Sequence, residues 1–297
     1  MFDFTILTDK RYVDPPVISE YVQNVLTEDQ LVLNELQKRG YKVQRLSWDD
    51  PTMDWTTTRY IVFRTTWDYF DRFGEFMDWL NRVRTETRLI NSEKLILWNL
   101  DKHYLGELRK KGINIPPTCF IEKGDPRSLS ELWAQCGWSK AILKPVVSGA
   151  ARHTYCLETT SLNKFESIFA ELIANESMML QEYQQNIVTQ GELSLIMFNG
   201  RYSHCVLKKA KSGDFRVQDD FGGTVHDHTA TDEEISFAIE CVSNCPELPV
   251  YARVDLFRDN QNKLALGELE MIEPELWFRR DEKAAVLFAD ALEQFIA

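Results

Sequence analysis

Apolar and polar positions follow two rhythms along this chain. In the first hundred residues, short apolar runs at 4–8, 43–46, 60–63 and 88–90 alternate with stretches of helical spacing. Leu31, Leu33 and Leu36 mark a helix over 29–39 closed by Gly40, and Phe73, Phe76, Met77 and Leu80 share one face of a helix over 71–83. This βαβ rhythm predicts a small parallel sheet covered by helices, an α/β class of fold. A helix over 102–111 ends at Gly112, and Ile-Pro-Pro-Thr at 115–118 forces an extended connection.

Beyond that point strands are expected at 118–121, 141–145, 154–157 and 178–183, with helices over 128–136 and 162–174 between them. Strands at 191–198 and 201–208 flank Asn199-Gly200, a strong hairpin signal. A helix over 232–241 precedes strands at 251–257 and 264–272, joined by a turn at 259–262. The polar, glycine-punctuated stretch between them, 208–223, reads as a mobile loop. We therefore expect three units: an N-terminal α/β domain over 1–98, a central subdomain with its linking helix over 99–183, and a C-terminal subdomain over 184–297.

Composition narrows the partners. The formal net charge is -12 over 297 residues, which disfavours a nucleic-acid backbone or an anionic membrane surface. No apolar run approaches a membrane span, and the six cysteines show no CxxC spacing, so free thiols in a reducing cytoplasm are expected. GxGxxG after the first strand, Walker A and GxSxG are all absent. His226-Asp227-His228 has no third ligand nearby in sequence and reads as loop.

The most informative stretch is LALGELEMIEPEL, 264–276, where Glu268, Glu270, Glu273 and Glu275 thread through core-type residues. A period of two puts Glu268 and Glu270 on one face, and the preceding YARVDLF does the same for Arg253 and Asp255. Pairing of the two strands gathers all four, either as a wet acidic edge or as a seat for a hard divalent cation. Upstream, Lys144 ends a β-branched strand before the small-residue loop at Ser148-Gly149, where backbone amides and a lysine can approach phosphate. Glu182 closes an apolar strand just before a crossover between lobes. Arg64 and Asp68 lie beyond the carboxyl end of an N-terminal strand, where open α/β sheets bind ligands, and are candidates for acceptor recognition.

WNLDKHYL (98–105), ILKP, LQEY, GELSL, YARVD and LGELEMIEP occur in an order that resembles the ATP-grasp superfamily, most closely its glutathione-synthetase-like and RimK-like members. With RTTWDYF, they are similar to the subgroup labelled cycloserine-biosynthesis cyclo-ligase-like. The resemblance spans residue 60 to the C-terminus and implies an ATP-grasp fold behind a Rossmann-like N-terminal domain. It implies that Lys102 and Lys144 hold nucleotide phosphates, with Ser148 and Gly149 in the covering loop. By the same resemblance Glu182 and Tyr183 meet adenine, Glu192 lies near the ribose, and Lys208 opens a loop over the nucleotide. Arg253 steadies the transferred phosphate, and Asp255, Glu268 and Glu270 hold Mg²⁺, or Mn²⁺ in its place.

Glu270 stands where related ligases carry Asn, which leaves the number of metal ions open. Arg216, in the loop, is implied to meet a substrate carboxylate or phosphate, while Glu273 serves the metal, a substrate amine or nothing. The implied activity is ATP-dependent joining of a carboxylate to an amine through an acylphosphate, on a small amino-acid-like substrate, in a protein of a family where homodimers are common. A nucleotide- or metal-binding module without catalysis, and a phosphotransferase, are the alternatives.

Overall fold

The structure, a computed structural model, describes residues 1–217, 222–281 and 283–297. Residues 218–221 of the expected loop lie outside the described residues. Among the described residues no helix is long and apolar enough to cross a membrane.

Four parallel strands form the first sheet: β1 (Phe2–Thr8), β2 (Val43–Ser47), β3 (Thr58–Thr65) and β4 (Arg88–Ile90), in the order β2-β1-β3-β4. Helices α1 (Glu20–Lys38), α2 (Phe73–Val83) and α3 (Glu93–Asn99) belong to it. α1 begins nine residues before the expected start, because the Ser19 side chain caps the Val22 amide. Trp48, Trp55, Phe63, Phe76 and Trp79 pack edge to face in its core, several of them almost completely buried.

A short helix α4 (Tyr104–Lys110) leads to an antiparallel sheet of β5 (Thr118–Ile121), β6 (Lys140–Pro145), β7 (Tyr155–Glu158) and β8 (Met178–Glu182), ordered β5-β8-β6-β7. Helices α5 (Leu129–Cys136) and α6 (Glu166–Asn175) share its apolar cluster, and α5 starts at a capping box built by Ser128 and Glu131. After α7 (Gln185–Gln190) the third sheet is again antiparallel: β9 (Glu192–Phe198), β10 (Arg201–Lys209), β11 (Thr224–Asp227), β12 (Tyr251–Arg258) and β13 (Leu264–Glu270), ordered β11-β10-β9-β12-β13. Asn199 and Gly200 both take positive φ, as a two-residue hairpin turn between β9 and β10 requires. Helix α8 (Asp232–Ser243) packs beside this sheet, and α9 (Lys283–Ile296) joins a core shared with α1 and the first sheet.

β13 stops at Glu270, short of the expected Ile272. The reason is competition for its backbone: the Met271 amide donates to Asn99 at 2.8 Å, and the Met271 carbonyl accepts from Asn91 at 2.8 Å. The outer edge of β13 is closed in the same way, with the Leu269 amide donating to the Tyr104 hydroxyl and its carbonyl accepting from Asn99. An edge strand that would otherwise invite pairing is thus capped by side chains from α3 and α4.

Candidate active site

Strands β12 and β13 pair antiparallel with Arg253 opposite Glu270 and Asp255 opposite Glu268. Directly opposed residues share a sheet face, so all four side chains meet there. Asp255 is 2% exposed and accepts hydrogen bonds from Arg253 at 2.8 and 3.0 Å, from Lys208 at 3.2 Å, and from the Ser194 hydroxyl. Burial works against its charge, yet Arg253 and Lys208 hold its pKa down at about 2. Glu268 pairs with Lys102 at 3.0 Å; burial again opposes ionisation, but Lys102 and Lys144 keep the carboxyl below its ordinary range.

Glu270 behaves differently. It contacts Arg253, yet burial, together with the charges of Glu268, Asp255 and Glu273, pushes its pKa well above the usual carboxylate value. Glu273 is pushed up to about 7, chiefly by burial. The patch therefore holds more carboxylate than its protein cations neutralise.

A cavity of about 500 Å³ opens over this face, and all three sheets contribute to it. Arg11, Tyr12, Trp67 and Phe70 come from the first, Lys144, Ser148, Gly149 and Gln181 from the second, and Glu192, Arg253, Glu268 and Glu270 from the third. A narrower recess of about 150 Å³ shares Lys144, Arg253 and Glu268 with it and is lined further in by Glu182, Gln184, Asp255 and Phe257. Lys144 makes no ion pair among the described residues, and burial pulls its pKa down. Lys102, 6% exposed, donates to the Ser148 carbonyl as well as pairing with Glu268.

The loop after β6 is held in an unusual backbone conformation: Ala150, Ala151 and His153 have φ of 46°, 55° and 47°. Left-handed residues other than glycine are costly and cluster at ligand sites. At Gly149 a Cβ would lie 2.5 Å from the Phe70 ring, so only glycine lets the loop approach the first sheet this closely.

Of the residues expected at the site, Lys102, Lys144, Ser148, Gly149, Glu192, Arg216, Arg253, Glu268, Glu270 and Glu273 line the main cavity, and Glu182 and Asp255 the recess. Tyr183 lines neither. Its ring stacks under the Lys140 ammonium at 4.3 Å, and its amide and carbonyl are bonded to Lys140 and Asn260. Lys208 is not in a loop: it lies near the end of β10, 5% exposed, paired with Glu192 at 2.6 Å and Asp255 at 3.2 Å. Two carboxylates, the buried Asp255 and the partly buried Glu192, supply the charge that makes a lysine tolerable inside a strand. Arg216 pairs with Asp214 at 2.7 Å.

Arg64 and Asp68 do not reach the cavity. Arg64 is 1% exposed, lies over the Phe278 ring at 5.0 Å, and donates to the Pro274 carbonyl at 3.0 Å. Asp68 is taken up by Trp48 at 2.7 Å and Arg72 at 3.0 Å. The strand-end position was a sound guide, but the side chains there that face the cavity are Arg11 and Tyr12, just after β1, and Trp67. Sequence reasoning also passed over Glu275, which lines the cavity although it follows Pro274. His226 lies in β11 and His228 contacts Glu234 at 3.2 Å. Among the described residues no three His, Cys, Asp or Glu side chains converge as a metal-holding group.

The comparisons with known proteins fit this geometry. Residues 103–272 match the RimK-like ATP-grasp domain, and residues 4–91 match the N-terminal domain of D-cycloserine synthetase DcsG. The chain is 29% identical to the cycloserine biosynthesis protein DcsG of Streptomyces lavendulae over 273 residues, 86% of this chain and 89% of that one. It superposes on the crystal structure of D-cycloserine synthetase DcsG with a TM-score of 0.86, at 26% identity and 99% coverage of both chains. On D-alanine–D-alanine ligase from Bacillus anthracis complexed with ATP the TM-score is 0.63 at 14% identity, covering 100% of this chain and 96% of that one. Fold and cleft together define an ATP-dependent carbon–nitrogen ligase of the ATP-grasp class. The chain belongs to the RimK-like ATP-grasp family, and within it resembles the cycloserine-biosynthesis subgroup.

Proposed function

We propose that the protein activates the carboxylate of a small amino-acid-like substrate by phosphoryl transfer from ATP, and passes the resulting acyl group to an amine. The observation that carries this reading is Lys144, a half-buried lysine without an ion pair among the described residues, facing a cavity it shares with Lys102, Arg253 and a strained small-residue loop. A desolvated cation of this kind calls for an anion, and a polyphosphate supplies one. ATP lies with its phosphates between Lys102, Lys144 and the loop at Ser148 and Gly149, and its base toward the recess at Glu182.

The carboxylate oxygen of the substrate attacks the γ-phosphorus, the bond to the β-phosphate oxygen breaks, and ADP leaves. The amine nitrogen then adds to the acyl carbon, phosphate departs, and the nitrogen gives up a proton. Arg253 faces charge developing on the transferred phosphoryl group, and positioning rather than covalent catalysis is the protein's part.

Asp255, Glu268 and Glu270 are hard oxygen donors on neighbouring positions of one hairpin, with carboxylate charge to spare, and their chemistry fits a divalent cation such as Mg²⁺. Binding requires them to exchange contacts with Lys102, Lys208 and Arg253 for the metal. When bound, Mg²⁺ supplies charge neutralisation at the phosphates.

The test is release of ADP and phosphate from ATP and Mg²⁺ across mixtures of small carboxylates and amines. Phosphate release that needs both functional groups is expected. ADP with a stable phosphorylated product identifies a phosphotransferase instead, and no turnover with any mixture leaves a binding module.

A further inference from the structure

The Arg253 guanidinium is tied along one edge and covered by a ring. Nε and Nη2 donate to Asp255 at 3.0 and 2.8 Å, and Nη2 also contacts Glu270. The guanidinium carbon lies over the indole of Trp277, 5.3 Å from the ring centroid. Among the described residues nothing accepts a hydrogen bond from Nη1, although Arg253 lines the cavity. That end is the donor left for a ligand.

Trp277 is held there against two local preferences. Its φ is 48°, a left-handed value that a bulky side chain rarely takes. Its indole nitrogen is buried without a hydrogen-bond partner among the described residues, whereas a buried tryptophan ordinarily finds one. Phenylalanine or leucine would pack there without an orphaned donor, so bulk alone does not account for an indole. What the indole adds is the ring face that attracts a cation most strongly. The chain on either side of it is pinned to distant elements. His204 Nε2 of β10 lies 2.8 Å from the Leu276 carbonyl, and the Phe278 and Arg279 amides donate to the buried Glu28 of α1 at 2.9 and 3.0 Å. Strain that the surroundings over-determine in this way clusters at functional sites.

We infer that Trp277 is a positioning residue for Arg253, holding the guanidinium so that Nη1 meets the terminal phosphoryl group of a bound nucleoside triphosphate. The inference rests on the ligase reading above and extends it. In that reading Asp255 and Glu270 turn from Arg253 to a divalent cation, and the contact with Trp277 is the one that persists. An arginine released by its carboxylates and unsupported by the ring would lose the fixed geometry on which charge stabilisation depends.

Calorimetric titration of the full chain in Mg²⁺ tests this, with ADP and the β,γ-imido analogue of ATP as probes. The wild type is expected to bind the triphosphate more tightly than ADP. Trp277→Leu is expected to weaken the triphosphate about tenfold and ADP by less than about twofold. Trp277→Phe keeps a ring face and should restore most of the loss. In an Arg253→Ala background Trp277→Leu should have no further effect, because it acts through that side chain. A merely structural lesion would weaken both nucleotides alike, or neither. Melting temperatures confirm folding. Should Trp277→Leu not fold, Trp277→Phe is read in its place, with a loss of roughly two- to fivefold confined to the triphosphate. Equal weakening of both nucleotides, no weakening of either, additive losses in the double variant, or a wild type that does not distinguish the two probes overturns the inference. Phosphate release from ATP with mixed carboxylates and amines separates the two readings: the expected binding pattern without turnover sinks the ligase assignment and leaves the role of Trp277 standing.

Discussion

Arg253 faces Glu270 across the β12–β13 pair, and its guanidinium spans both that carboxylate and Asp255 on its own strand. One arginine thus serves two acids, while Glu270 answers in turn to Glu268 and Glu273. The acidic strand is tolerated in part because Lys102 pairs with Glu268 and Arg253 with Glu270, while Lys208 neutralises Asp255 on the neighbouring strand.

That balance predicts opposite effects of one substitution on stability and turnover. Glu270→Gln keeps the shape and removes a charge that its neighbours repel, so the melting temperature without nucleotide is expected to hold or rise. Turnover of ATP in Mg²⁺ is expected to fall by on the order of a hundredfold, the scale of a lost contact to developing charge. A wild-type rate would remove Glu270 from the reaction centre.

Lys144→Met separates binding from folding. Burial already penalises the ammonium, so an apolar chain of similar length should leave the apoprotein at least as stable. ATP affinity, read by calorimetry, is expected to drop by one to two orders of magnitude, the roughly 1.5–3 kcal/mol of a charge-assisted bond. Unchanged affinity would place the phosphates elsewhere.

At Gly149 the obstacle is steric. An added methyl would sit 2.5 Å from Phe70, and overpacking of that kind costs about 1–3 kcal/mol. Gly149→Ala is expected to raise the KM for ATP by roughly tenfold, 1.4 kcal/mol being one decade. Phe70→Leu in the same chain should recover part of the loss; absence of any recovery would rule out the ring contact as its cause.

Much of this site could be read from local pattern, and the failures share a cause. The hairpin of Arg253, Asp255, Glu268 and Glu270 follows from alternation and a short turn, both short-range properties. Lys208 stands at the strand end that the pattern gives it, but a lysine there looks like the opening of a polar loop until its distant partners Glu192 and Asp255 are known. Arg64 and Trp67 were separable only in three dimensions: both follow or end β3, but one turns into the core and the other into the cavity. α9 carries Ala284, Phe288, Ala291 and Leu292 at helical spacing, a signal present in the sequence but passed over.

Arg64 now has a different expected phenotype. Its burial against Phe278, with Glu28 and Asp29 at 3.8 and 3.6 Å, makes Arg64→Ala a structural lesion that leaves carboxylates short of a buried cation. Breaking such a set typically costs roughly 3–5 kcal/mol. Urea unfolding should show a midpoint shifted well down. A stable Arg64→Ala with altered substrate preference would instead support direct contact with the acceptor.

His204 provides a pH test away from the cavity. It is 9% exposed in β10, its Nε2 lies 2.8 Å from the Leu276 carbonyl, and its Nδ1 is 3.0 Å from the Ser203 hydroxyl. A carbonyl partner requires the proton on Nε2, leaving Nδ1 to accept from Ser203 in the neutral ring. Burial lowers its pKa from 6.5, with the Leu276 bond opposing. Above 6.5 both folded and unfolded chains hold the ring neutral, and the contribution of His204 to stability is intact. As pH falls through 6.5 the unfolded chain takes up the proton first, so stability declines until the folded pKa is passed. Urea midpoints measured from about pH 7.5 down to 5.5 should therefore fall in the wild type. His204→Gln, which can still donate to Leu276, should flatten that slope; an identical slope in the variant would assign the pH dependence to other groups.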